Sequence, residues 1–222
     1  MTLIVLNFKT YRESTGPEAL RLAEICEDIA RDYSVQMVVV PQVADIQIIS
    51  KAVKIPVYAQ HVDGVGYGGF TGHVTASSLK AAGATGSLIN HSERRLKLAE
   101  IEASISTCRQ ADIKTIVCTN NVATTRASAA LEPDYVAVEP PELIGSGIPV
   151  SKANPDVISK SVDAVKLIAP HVGVLCGAGI THGEDLRSAL ELGSEGVLLA
   201  SGIIKAKDQR KALEDLVTGV GK

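Results

Sequence analysis

Short unbroken apolar runs alternate along this chain with longer stretches whose apolar residues recur every three or four positions. Leu3–Phe8 reads LIVLNF, and the pattern returns at Val35–Val40, Val57–Gln60, Thr85–Asn90, Lys114–Cys118, Tyr135–Glu139, Gly173–Cys176 and Glu195–Leu199. Such runs read as strands covered on both faces. Between the first two, Ala19, Leu22, Ala23, Cys26, Ile29 and Ala30 share one face of a helix over Pro17–Arg31. Helices are also predicted over Val43–Val53, Ala76–Ala82, from strand four to Ala111, and over Asn121–Ala130, Asn154–Ala169, Gly183–Leu192 and Ile203–Val217. Strand three runs into a glycine-rich loop that reaches Val74. Strict strand–helix alternation implies a parallel sheet, and eight such units close into an α/β fold of the (β/α)8 type. The alternative is an open doubly wound sheet. It wants G-x-G-x-x-G after strand one, where Asn7-Phe8-Lys9 stands instead. No linker or composition shift divides residues 1–222, so a single domain is expected.

Composition narrows the function. Hydrophobic residues are 45% of the chain, enough for a large core, and the net charge is −3 with no basic block. That argues against a nucleic-acid partner, and no apolar run is long enough to span a membrane. Cys26, Cys108, Cys118 and Cys176 are scattered without a C-x-x-C pair. With no signal-peptide pattern, this fits a cytoplasmic location, and core packing is the expected cysteine role.

In a (β/α)8 barrel the C-terminal ends of all strands open on one rim, so residues just after each strand meet in space. Strand six ends in Glu139. Pro140 and Pro141 then stop it, and the following loop passes to Gly145-Ser146-Gly147. Stiff prolines on one side and permissive glycines on the other are what a hinged lid needs, with Gly147 absorbing much of the motion. Strand one ends with Asn7 and Lys9, two apart and on one side. Lysine there supplies a fixed positive charge for an anionic substrate or transition state. Strand four runs into Asn90-His91-Ser92-Glu93-Arg94-Arg95. His91 is expected where strand ends and helix begins, with Ser92 as cap. There the positive end of the helix dipole disfavours imidazolium. Arg94 and Arg95 read as solvated or ion-paired. Gly177-Ala178-Gly179 and Ala200-Ser201-Gly202 follow strands seven and eight, the turns where barrels hold phosphate. His61 and His73 share the third loop, but no third metal ligand lies near in sequence, so no metal is expected. His171 and His182 read as loop residues. A base, a carbonyl polariser and a phosphate grip suit proton abstraction beside a carbonyl.

These blocks resemble triosephosphate isomerase: NFK after strand one, NHSERR after strand four and EPPELIGSG after strand six, in that family's order. The compact length and the tryptophan-free ELIG tip are similar to its short, archaeal-type form. The resemblance covers the whole chain and implies a TIM barrel without cofactor, interconverting dihydroxyacetone phosphate and D-glyceraldehyde 3-phosphate through an enediolate. It implies Glu139 as base, His91 as carbonyl polariser and proton shuttle, and Lys9 as the stabiliser of negative charge. Asn7 would orient the substrate, and Glu93 would support Lys9 and His91. Phosphate would meet backbone at Ile144, Gly179, Ala200, Ser201 and Gly202. The third loop keeps the family's threonine at Thr71 but has His73 where the longer enzymes have glutamate. Its counterpart there inserts into a neighbouring subunit, so a homodimer or homotetramer is implied. Other phosphate-binding barrel enzymes remain alternatives: a metal-dependent epimerase, or an aldolase using Lys9 as a Schiff-base amine. A binding subunit without turnover is a third.

Overall fold

The computed structural model describes residues 2–140, 143 and 149–220. Eight parallel strands form one sheet: β1 (Leu3–Asn7), β2 (Gln36–Val40), β3 (Tyr58–Ala59), β4 (Gly86–Ile89), β5 (Lys114–Thr119), β6 (Tyr135–Val138), β7 (Gly173–Gly177) and β8 (Gly196–Leu199). Their order is β2-β1-β8-β7-β6-β5-β4-β3. The ends of that row meet where Val39 bridges Val57 and donates its N–H to the Pro56 carbonyl, so the sheet curls into a nearly closed (β/α)8 barrel. Around it lie α1 (Pro17–Tyr33), α2 (Ile46–Ala52), α3 (Ala76–Ala81), α4 (Leu98–Gln110), α5 (Val122–Ala129), α6 (Val150–Ala153), α7 (Pro155–Ile168), α8 (Gly183–Glu191), α9 (Ser201–Ile204) and α10 (Gln209–Val217).

The continuous apolar runs have a two-sided cause. Alternate residues of a strand face opposite ways, and here both ways are dry. Leu3 and Val5 of β1 join Val38, Val40, Leu88, Ile116, Ala137, Leu175 and Leu198 on the barrel axis. Ile4, Leu6 and Phe8 pack outward against Leu22, Cys26 and Ile29 of α1. The inward set continues the same parity to its polar end members. After Leu3 and Val5 comes Asn7; after Ala137 comes Glu139. All four cysteines are buried and free. Among the described residues no helix is long and apolar enough to cross a membrane.

Some boundaries depart from expectation. The fourth helix does not start after strand four. Asn90 turns left-handed (φ 61°), and the Arg94 N–H bonds the His91 carbonyl at 2.8 Å, closing a tight turn. α4 begins only at Leu98, where the Glu100 carboxylate accepts the Lys97 N–H at 2.8 Å. Ser92 is therefore no cap. The expected helix over Ile203–Val217 is two pieces. α9 starts earlier, at Ser201, and α10 restarts where the Asp208 side chain accepts the Lys211 N–H. The second helix starts at Ile46, three residues later than its apolar pattern. A single 3-10 turn (Arg12–Ser14) and α6 carried no recognised signal.

Candidate active site

Each rim residue is held in place by backbone geometry that its own sequence neighbourhood only partly explains. Lys9 adopts φ 48°, which costs a side-chain-bearing residue about 1–2 kcal/mol. Asn7 Oδ1 accepts the Lys9 N–H at 3.0 Å, and Gln60 Nε2 donates to the Lys9 carbonyl at 2.8 Å and to the Val40 carbonyl at 3.2 Å. The clamped backbone aims the ammonium over the barrel mouth, where Nζ meets Glu93 Oε1 at 2.8 Å.

The turn that carries His91 is pinned as firmly. Asn90 Nδ2 donates to the Cys118 carbonyl at 2.9 Å, its Oδ1 accepts the Leu96 N–H at 2.8 Å, and Arg95 donates to the Asn90 carbonyl at 2.8 Å. α4 begins seven residues beyond His91, so the ring does not sit at a helix start. A nearer contact fixes where its hydrogen lies. The Glu93 backbone N–H donates to His91 Nδ1 at 3.3 Å, and a nitrogen that accepts carries no proton. This hydrogen-bond network assigns the tautomer with its hydrogen on Nε2, the nitrogen that faces Glu139. Glu93 Oε2 lies 3.5 Å from Nδ1, while its Oε1 is held by Lys9 Nζ at 2.8 Å.

Glu139 is 5% exposed although it is a charged residue at a strand end. Its N–H bonds the Thr119 carbonyl at 2.7 Å, so β6 delivers the side chain inward. Oε2 stands 3.8 Å from His91 Nε2, and among the described residues no hydrogen-bond donor reaches it. The gap is too long for a mutual hydrogen bond, so neither group is consumed by the other. Beneath the carboxylate lies Cys118. Burial first, then the Glu139 charge, push that thiol well above its ordinary pKa, which keeps it protonated and unreactive. Gly177 leaves the space Glu139 fills: a Cβ there would stand 2.3 Å from Glu139 Cγ.

Asn7, Lys9, His91 and Glu139 line one cavity of about 230 Å³, whose opposite wall is Ala178, Gly179, Ile180, Thr181, Ala200, Ser201 and Gly202. Ala178 and Gly179 both have φ 73°. The first N–H groups of α9, at Ser201 and Gly202, have no intrahelical acceptor by their position. The structure thus brings together every expected site residue except Ile144, which lies outside the described residues. So does Gly147, with the rest of the expected lid apart from Pro140 and Leu143. Sequence reasoning missed Gln60 and gave Asn90 and Gly177 no part in placing Lys9, His91 and Glu139, because those partners are remote in the chain. The histidines of the third loop part company. His61 Nε2 meets Asp63 Oδ1 at 2.9 Å, and Asp63 Oδ2 accepts the Val74 N–H at 2.7 Å, tying the loop's two ends. His73 stands edge-on to Phe70. Among the described residues no three metal-ligating side chains converge. Arg94 approaches Asp63 at 3.9 Å, and His182 pairs with Asp215 at 2.8 Å.

Fold and cavity together define a (β/α)8-barrel enzyme with its polar groups gathered on the C-terminal rim. A family model described as triosephosphate isomerase matches residues 2–219. Curated relatives named triosephosphate isomerase include those of Methanococcoides burtonii, 62% identical over 97% of this chain and 98% of its own, and Methanothermus fervidus, 59% identical over 97% of each. That of Methanocaldococcus jannaschii is 55% identical over 87% of this chain and 89% of its own. The chain belongs to the triosephosphate isomerase family and is an isomerase.

Proposed function

We propose that the enzyme interconverts dihydroxyacetone phosphate and D-glyceraldehyde 3-phosphate by moving one proton between adjacent carbons. The observation that carries this reading is the shared cavity: an unencumbered carboxylate oxygen, a ring N–H and an ammonium face two small-residue turns across about 230 Å³. That volume suits a small metabolite rather than a nucleotide. Glu139 takes a proton from one carbon and returns it to the next. His91, with its proton on Nε2, hydrogen-bonds the substrate oxygens and passes a proton from one to the other. The Lys9 ammonium offsets the negative charge that grows on the enediolate, and Asn7 orients the substrate beside it. Backbone N–H groups at Gly179, Ala200, Ser201 and Gly202 take the phosphate. Each group keeps its number of protons over the cycle, and substrate and product are isomers, so the scheme as written calls for no redox cofactor.

The test is a coupled spectrophotometric assay with glyceraldehyde 3-phosphate, before and after chelator treatment. Turnover that survives the chelator is expected. Turnover abolished by chelator and restored by a divalent ion would favour the metal-dependent epimerase chemistry instead. A homodimer at least is also proposed, with a homotetramer the larger possibility. Tyr67 is 90% exposed and Phe70 43% exposed on the glycine-rich third loop, apolar surface that a second copy would cover. Light scattering is expected to give a multiple of the 23.3 kDa chain mass. A monomer at assay concentration would reject this. The proposed setting is the cytoplasm, in glycolysis and gluconeogenesis.

A further inference from the structure

One buried charge sits behind the anion-facing wall and has no part in the proton chemistry. Asp185, in the first turn of α8, is 2% exposed. Its Oδ2 accepts the N–H of Thr181 at 3.1 Å and of His182 at 3.0 Å, and its Oδ1 meets Lys152 Nζ of α6 at 3.1 Å. Thr181 lines the cavity. A Cβ on Gly202 would stand 2.8 Å from Thr181 Oγ1 and 3.0 Å from the Ile180 carbonyl, so the turn after β7 is the surface on which the turn after β8 rests. Directly before Ile180 come the two left-handed residues, Ala178 and Gly179. A left-handed alanine persists only where its surroundings hold it.

We propose that Asp185 is a positioning residue for anion binding: by taking up the Thr181 and His182 amides it fixes the turn after β7, and through Gly202 the turn after β8, in the spacing a phosphate group requires. This rests on the reading of the cavity as a phosphate-ester site. The placement has a cost, because a carboxylate behind an anion site repels the ligand. Lys152 answers it: it pairs with Oδ1 and is not among the residues that line the cavity. Burial pushes the Asp185 carboxyl up, but the His182 amide, Lys152 and the Thr181 amide outweigh it and hold the group below its ordinary pKa. The brace is therefore charged at neutral pH.

The role is separable from that of the reacting groups. Asp185→Asn keeps the shape and loses the charge together with one acceptor. Its KM for glyceraldehyde 3-phosphate and its dissociation constant for inorganic phosphate should rise in parallel by about tenfold, the equivalent of one hydrogen bond, while kcat stays within about threefold. Lys152→Met, at a half-exposed position, should move both constants the same way by about threefold with the melting temperature little changed. A fall in kcat with both constants unchanged would overturn the proposal, as would a loss of thermal stability alone. If Asp185→Asn does not fold, the Lys152 variant decides by the same criteria. A wild-type chain that binds phosphate but fails to turn over triose phosphate would sink the isomerase reading alone, since the phosphate constants still report on Asp185.

Discussion

The two ends of the barrel carry similar raw materials and use them differently. The larger cavity, about 810 Å³, opens at the N-terminal end, among Lys80, Arg109, Asp112, Glu132 and Asp134. The smaller opens on the C-terminal rim. At the N-terminal end the polar groups satisfy one another. Lys80 donates to the Asp112 carbonyl at 2.7 Å, Arg109 to the Glu132 carbonyl at 3.0 Å, and Asp134 accepts the Thr115 N–H at 2.8 Å. The left-handed residues there, Ser34, Asp112 and Glu132, each follow a helix end, where such a turn simply closes the last carbonyls. On the rim the left-handed residues Lys9, Asn90 and Ala178 follow strands, and no helix end accounts for them. A buried carboxylate oxygen stands there without a donor among the described residues. Strain without a local reason, beside an unsatisfied charge, marks the working end better than cavity size does.

The largest test of this contrast is Glu139→Asp. Shortening the side chain by one methylene withdraws the carboxylate from the reacting carbons, and kcat should fall by about 10²–10⁴. The melting curve should barely move; unchanged turnover would remove Glu139 from the mechanism. Next come two substitutions on the same strand. A methyl at Gly177, the rim end of β7, meets Glu139 Cγ at 2.3 Å, whereas one at Gly173, the other end, meets the Tyr135 ring at 2.4 Å. Gly177→Ala should lower kcat by roughly 10²-fold through a displaced base. Gly173→Ala should instead cost about 1–3 kcal/mol of stability and leave kcat per folded molecule unaltered. Steady-state kinetics paired with denaturant titration would separate them, and identical phenotypes would erase the proposed division between the ends.

A smaller effect tests a part of the rim assigned to structure. Burial pushes Asp63 up, but His61 and the Val74 amide outweigh it, so the folded pKa lies below the ordinary one. A depressed carboxyl contributes stability above the unfolded pKa, about 3.9, and loses it as pH falls through the lower folded value. Thermal melts below pH 4 should show wild type losing more stability than Asp63→Asn; parallel losses would show that the pair contributes nothing. The smallest effect belongs to Glu132→Gly. Relief of about 1 kcal/mol of left-handed strain is largely offset by the freedom glycine adds to the unfolded chain. Both kcat/KM and the melting temperature should stay close to wild type, and a clear kinetic change would mean that strain at this end is also functional.

Much of this was legible in the sequence because barrel geometry converts order into proximity. Eight dry runs announced the strands, and the polar residues that end them, Asn7, Lys9, His91 and Glu139, needed only a shared rim to meet. The failures were local. INHSERR looks like a capped helix start, yet the left-handed Asn90 diverts the chain, because its side chain is recruited by the Cys118 carbonyl 28 residues on. Gln60 reaches the Lys9 carbonyl across 51 residues, a partnership no spacing rule can reveal. The break between α9 and α10 is set by an aspartate cap inside an otherwise helical pattern. The fold was readable from periodicity; the braces that run through Gln60 and the Cys118 carbonyl were not, because they are tertiary.

The most direct test of the central claim, that one carboxylate carries one proton between neighbouring carbons in this cavity, is proton NMR of the isomerisation run in D2O. Wild type should place solvent deuterium on the carbon next to the carbonyl of the product, and Glu139→Gln should place none above the uncatalysed background. Deuterium incorporation by Glu139→Gln at the wild-type rate would contradict it.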